Sequence, residues 1–246
     1  MFPWGGYSSH MNILDDTLRR TENDQGTTSI CRWEDGHAFA PNPGSPIIEV
    51  TEEKSQDAAL RHRGKRVTVL NFASGVSPGG GVRYGYRAQE EDLCLCSGLL
   101  YGLEDNIPYY NANRAVDAPP ACFDAMIVSD QVPLIKDGSY NLVPVQHIRV
   151  FTYSAPILGS YGIDSTGAAE VFNRRAPQIV QKASELGTDV LILGAWGCGA
   201  YGNNPYTVAS SFKAALAKQG GGIGTAVFPV YGDTANYLAF LETFQN

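Results

Sequence analysis

The chain has 246 residues, 43% of them hydrophobic, enough for a substantial core in one large domain or two small ones and too many for a disordered chain. Charged residues make up only 17%, below the roughly 25% usual for soluble domains, and 18 basic against 25 acidic side chains leave a net charge of -7. That balance repels a polyanion at long range, so direct nucleic-acid binding is not expected and any anionic ligand must be gripped by local backbone dipoles.

In chain order, Asn12 to Asn23 sets Ile13, Leu14 and Leu18 on one face with Asp15 and Asp16 in the first turn, which predicts an amphipathic helix. The polar stretch through Pro46 reads as a loop wrapped on the main domain. Residues 1–46 are therefore expected to form an N-terminal helical extension, and 47–246 the main domain. From Ile47 the pattern alternates: strand 47–51, helix 55–62, strand 66–71, a Gly-rich loop at 74–85 and a helix over 88–103. Strands follow at 125–129, 147–153, 190–193 and 225–231, with helices at 166–186, 206–218 and 234–244; Pro177 predicts a kink or a split in the first of these. Apolar strands alternating with helices imply a parallel or mixed sheet covered on both faces.

No apolar run approaches the roughly 18 residues of a membrane span, and Met1 to Gly6 lacks the basic start of a signal peptide, so an intracellular, cytoplasmic protein is expected, or a nuclear one in a eukaryotic cell. The cysteines are Cys31, Cys94, Cys96, Cys122 and Cys198, an odd number for which reduced thiols are the default. Cys94 and Cys96 are too close for a zinc knuckle and the four histidines stand apart, so neither a metal nor a cofactor is expected.

Glycine, 27 residues, clusters in two loops. The first runs Pro78-Gly79-Gly80-Gly81, seven residues, then Gln89-Glu90-Glu91 at a helix start; the triple glycine lets a ligand approach the backbone closely, and a Cβ at Gly80 is expected to intrude where phosphate would lie. The second, Gly194 to Gly202, lies between a strand and a helix, where free amides and a helix dipole converge on an anion. Two such loops at strand carboxyl ends form one crevice. Neither is a Walker A sequence, and the formal match of Gly197, Gly199 and Gly202 to a dinucleotide fingerprint lacks the acidic residue that would bind a ribose. Trp196 reads as a packing residue, Cys198 as a backbone donor with an incidental thiol, and Arg83 and Arg87 as solvated helix-entry residues.

Gly79-Gly80-Gly81 with Gln89-Glu90-Glu91 at this separation resembles the signature of poly(ADP-ribose) glycohydrolases, and 70–74, 97–101 and Gly194-Ala195-Trp196-Gly197-Cys198-Gly199 with Asn203-Asn204-Pro205 resemble its microbial branch. The resemblance implies a macro domain, a three-layer α/β/α sandwich with a mixed central sheet and an N-terminal helical extension. It implies exo-type hydrolysis of the ribose–ribose O-glycosidic bond at the end of poly(ADP-ribose) or on ADP-ribosylated proteins, releasing ADP-ribose, by a monomer. Glu91 would be the catalytic acid/base and Glu90 would orient ribose hydroxyls. Gly79, Gly80, Gly81, Val82 and Gln89 would bind substrate from one side, and Gly197, Cys198, Gly199, Ala200 and Tyr201 from the other. Three positions depart from the family pattern: the spacer Val82 to Ala88 is bulkier and more basic, Tyr201 stands for Phe, and Asn204 for Asp. Two other readings share these loops: a macro-domain reader with idle carboxylates, and a hydrolase of protein-linked mono-ADP-ribose.

Overall fold

The computed structural model describes residues 4–34, 36–114, 124–160 and 162–245, with side chains from Ser9 onward; Cys122 and the first three residues lie outside the described residues. Seven strands make one mixed sheet in the order β1-β4-β5-β3-β6-β7-β2: β1 Thr27–Arg32, β2 Ile47–Thr51, β3 Val67–Phe72, β4 Ala125–Lys136, β5 Leu142–Tyr153, β6 Val190–Ile192 and β7 Thr225–Pro229. The run from β5 to β2 is parallel, and β1 and β4 add antiparallel pairs at the other edge.

The strands are apolar on both faces because both are covered. Along β3, Val67 and Val69 face one core and Leu70 the other; along β7, Val227 and Phe228 divide in the same way. One layer comprises α1 Trp4–Thr21, α2 Ser55–Arg61, α3 Gln89–Cys96, α4 Leu99–Glu104 and α5 Ile107–Arg114, with Leu14, Ala58, Leu93, Leu100 and Tyr110 in its core. The other comprises α6 Ser165–Glu185, α7 Pro205–Gln219 and α8 Thr234–Gln245, around Phe172, Phe212, Phe228 and Phe240. Among the described residues, no helix is long and apolar enough to cross a membrane.

Helix α1 begins before residue 12 and buries His10, Leu14, Thr17 and Thr21, a stripe with helical spacing that is largely polar. Two of its polar residues are held across the interface: Thr17 Oγ1 donates to Leu95 O at 2.6 Å, and buried Lys136 donates to Thr17 Oγ1 at 2.7 Å and pairs with Asp16 at 3.0 Å. Lys136 and Arg20 hold the Asp16 carboxyl well below its usual range.

Four expectations change. The stretch through Pro46 is not all loop, for β1 lies within it and completes the sheet edge; its alternating half-exposed residues carry the weak signal of an edge strand. The helix expected over 88–103 breaks at Ser97, whose extended backbone bridges Leu134 while Gly98 N donates to Pro133 O. Strands β4 and β5 form a longer hairpin than expected, with Pro133 accommodated beside a bulge where Gln131 has a φ of 56°. Of the kink or split expected at Pro177, the split does not occur: α6 runs through it as one helix.

Candidate active site

The N-terminus of α3 delivers Glu90 and Glu91 to a cleft of about 660 Å³ above the carboxyl ends of β3, β6, β7 and β2, a size suited to a nucleotide-scale ligand. Gln89 fixes that helix to the sheet. Its Oε1 accepts from Phe72 N at 2.8 Å, and its Nε2 donates to Leu70 O at 2.8 Å and Ser55 Oγ at 3.1 Å. The amide head is thereby spent on β3 and α2, which makes Gln89 a positioning residue in the cleft wall.

Glu90 is 3% exposed; its carboxyl accepts from Asn71 Nδ2 at 3.2 Å and Ser74 N at 2.7 Å. Burial pushes its pKa up to about 8, against the opposing pull of those donors, so Glu90 keeps its proton at neutral pH. Asn71 Nδ2 also donates to Thr152 Oγ1 at 3.2 Å, which fixes the amide with its donor toward Glu90. Glu91 is 7% exposed and its Oε1 accepts from Gly81 N at 2.8 Å.

The first glycine loop therefore grips the protein's own carboxylates rather than a ligand. Gly81 N goes to Glu91, a Gly79 amide bond supports Glu90, Gly80 N goes to Ser77 O, and Val82 N to Gly79 O. Gly79 and Gly80 take left-handed backbone, φ 66° and 59°. A Cβ on Gly80 would stand 2.4 Å from Glu91 Oε1 and 3.0 Å from Glu90 Oε2, so it would strike the carboxylates first, contrary to the phosphate clash expected above. Gly81 is small because the Tyr86 ring packs on it, with Cδ2 1.9 Å from where a Cβ would sit. Of this loop's predicted contacts, Gly80 lines the cleft; Gly79, Gly81 and Val82 lie behind it, Val82 in the core.

The second loop is anchored by Trp196, fully buried against Tyr153, Phe172 and Phe212, with Nε1 donating to Tyr153 O at 3.0 Å. Asn203 Nδ2 ties the loop to Pro156 O and Gly197 O at 2.8 and 2.9 Å, and Asn204 caps α7 by accepting from Tyr206 N. Cys198 N donates to Ala195 O, and burial pushes its thiol up to about 12, so the residue offers neither a free amide nor a thiolate. Among the described residues, the amides of Gly199, Ala200 and Tyr201 take no protein acceptor. They lie in the cleft wall with Gly197, and a Cβ on Gly199 would meet nothing within 4 Å. Adjacent amides without acceptors are suited to an anion, and they lie three residues ahead of the helix rather than at its N-terminus.

The cleft also recruits residues that the motifs do not mark. Glu53, Lys54, Ser55 and Gln56 follow β2, and Pro229, Val230, Tyr231, Asp233 and Asn236 follow β7. Their common signal is position at the ends of predicted strands, where open α/β sheets bind ligands. Lys54 is neutralised by Asp92 at 2.7 Å. Among the described residues, no cluster of His, Cys, Asp or Glu is arranged to hold a metal ion.

The family model described as microbial-type PARG, catalytic domain, where PARG is poly(ADP-ribose) glycohydrolase, matches residues 9–137. The chain is similar to the crystal structure of poly(ADP-ribose) glycohydrolase from Thermomonospora curvata, with 31% identity and a TM-score of 0.83 over 96% of this chain and 100% of that one. A structure of the same enzyme with the inhibitor ADP-HPD gives 30% identity and a TM-score of 0.82 over 96% and 99% of the chains. The Deinococcus radiodurans enzyme in complex with ADP-ribose gives 28% identity and a TM-score of 0.74 over 97% and 91%. No curated protein matches the chain in sequence.

Proposed function

The chain belongs to the microbial-type poly(ADP-ribose) glycohydrolase family, and from that premise we propose how its cleft divides the work of releasing ADP-ribose by glycosidic hydrolysis. The fold is the macro-domain sandwich, and the activity is that of a glycosidase. Strand order sets the order of the ligand. The distal ribose lies at the end of β3, over Gly80 and against Glu90 and Glu91; the diphosphate lies at the end of β6, on Gly199, Ala200 and Tyr201; the adenosine end lies between the residues following β7 and β2, with Tyr231 and Glu53 at hand.

Glu91 is our catalytic acid/base. With Oε1 held by Gly81 N–H, its second oxygen is left to protonate the departing ribose hydroxyl as the anomeric C–O bond breaks, and then to take a proton from the water that attacks the anomeric carbon. Glu90, neutral and clamped by Asn71 and Ser74, offers an O–H to a ribose hydroxyl and adds no second negative charge beside the diphosphate. Unpaired amides bind the diphosphate without Lys or Arg. The observation that carries this assignment is the division of backbone donors: the first loop spends its amides on the two carboxylates and on its own carbonyls, and the second leaves three without a protein acceptor, among the described residues, in the wall of the same cleft.

We take 1–46 as an N-terminal extension of the main unit; its described residues pack on that unit through Thr17 and Asp16, and β1 shares the sheet. A cytoplasmic location, supported by the free thiols of Cys31, Cys94, Cys96 and Cys198, is part of the same proposal. Incubation with poly(ADP-ribose) and with a mono-ADP-ribosylated protein tests the reaction. Free ADP-ribose is expected from the polymer, and release from the mono-modified protein alone would move the scissile bond.

A further inference from the structure

The spacer Val82 to Ala88 is left over once the terminal ADP-ribose is placed, and it borders the carboxylates: Arg87 and Ala88 line the cleft with Glu90 and Glu91, and Tyr86 packs on Gly81. Its short 3-10 turn, Val82–Tyr84, packs on α1 and α3. Arg83 is committed to Glu104 at 2.6 Å. Two neighbours are not so committed. Tyr86 lays one side of its ring on Gly81, the residue whose amide holds Glu91, and remains 68% exposed. Arg87 lines the cleft one residue before the α3 cap; it donates to Tyr140 Oη at 3.2 Å and, among the described residues, forms no ion pair. The cleft's other cation, Lys54, pairs with Asp92 at 2.7 Å, whereas Arg87, its guanidinium 5.8 Å from the Tyr140 ring centroid, has no carboxylate within ion-pair distance among the described residues, in a wall that also carries Glu53, Glu91 and Asp233.

An exo-type cut leaves behind a chain end, and the leaving hydroxyl belongs to a ribose that carries an adenine and a diphosphate. We propose that Tyr86 and Arg87 form the leaving-side subsite for that penultimate unit: the exposed ring face stacks on its adenine, and the Arg87 guanidinium pairs with its diphosphate. This subsite selects polymer over other ADP-ribosyl linkages, and it rests on the placement of the terminal unit given above. The bulky, basic spacer thus serves specificity, while turnover itself depends on Glu91.

The test compares two substrates that share the terminal ADP-ribose: poly(ADP-ribose), and an aryl glycoside of ADP-ribose whose leaving phenol has neither base nor phosphate. For Arg87→Ala and Tyr86→Leu, the ratio of kcat/KM on polymer to that on the aryl glycoside should fall about tenfold each, the scale of one lost charged or stacking contact. Arg87→Lys and Tyr86→Phe should recover most of the ratio, and the Arg87 effect should shrink at high salt. An unchanged ratio overturns the proposal, as does an equal loss on both substrates, which would put these residues in the terminal-unit site. If the wild-type enzyme cleaves neither substrate, it is the glycohydrolase reading that fails, before any variant is compared.

Discussion

Gly80→Ala separates chemistry from binding by a single methyl group. The new Cβ would lie 2.4 Å from Glu91 Oε1, whereas an unstrained carbon–oxygen contact is about 3.3 Å, so the carboxylate must retreat by about 0.9 Å. A misplacement of ~1 Å at a catalytic group costs on the order of 10²-fold in rate. The residue also sits at φ 59°, where a Cβ costs roughly 1–2 kcal/mol, and the strained Glu91 to Gly81 hydrogen bond adds up to about 1 kcal/mol. At roughly 2–4 °C per kcal/mol for a chain of this size, Tm should drop by about 2–12 °C. With the diphosphate assigned to the other loop, as proposed above, ADP-ribose affinity by titration calorimetry should stay within a few-fold of wild type while kcat for ADP-ribose release falls about 10²-fold. Normal kcat in the folded variant, or affinity lost along with rate, would refute this division between the loops.

Three further outcomes follow from the same geometry. Gly199→Val adds bulk where nothing stands within 4 Å, so Tm should hardly move while ADP-ribose affinity falls by about 10²-fold or more through the blocked anion nest; intact affinity would take Gly199 out of the site. Glu90, lifted from 4.5 to about 8, gives stability that is fully present below pH 4.5 and lost as pH rises to about 8, because the folded chain keeps a proton that the unfolded chain releases. Denaturation across that range should therefore show Glu90→Gln gaining on wild type as pH rises, and a pH-independent difference would mean that the buried carboxyl is not neutral. Wild-type kcat should also fall as pH climbs through about 8 and a second negative charge enters the site; persistence of that limb in Glu90→Gln would assign it elsewhere.

The parts of this account that were legible in sequence are those with a local cause. Residues on β3, β6 and β7 are apolar on both faces, which announces a covered sheet, and the glycine loops stand at strand ends, which announces a crevice. Trp196 as a packing residue is readable from its apolar neighbours, and it is fully buried in the structure. Strand β1 was hidden because its half-exposed edge alternates weakly, and the break at Ser97 because the apolar period continues from Cys96 to Leu99 while the cause, a bridge to Leu134, is 37 positions away. The role of Gln89 is equally non-local: its amide closes on Leu70, Phe72 and Ser55, contacts that exist only once β3, α2 and α3 are assembled. For the same reason a triple glycine looks like a ligand cradle in one dimension and proves to be a carboxylate holder in three.

With proton transfer assigned to Glu91 and diphosphate binding to the second loop, one variant separates the two. Glu91→Gln keeps size and polarity and removes the acid, so ADP-ribose release from poly(ADP-ribose) should fall by ~10²–10⁴ while calorimetric affinity for ADP-ribose remains nearly unchanged. Wild-type turnover by that variant would remove Glu91 from the chemistry.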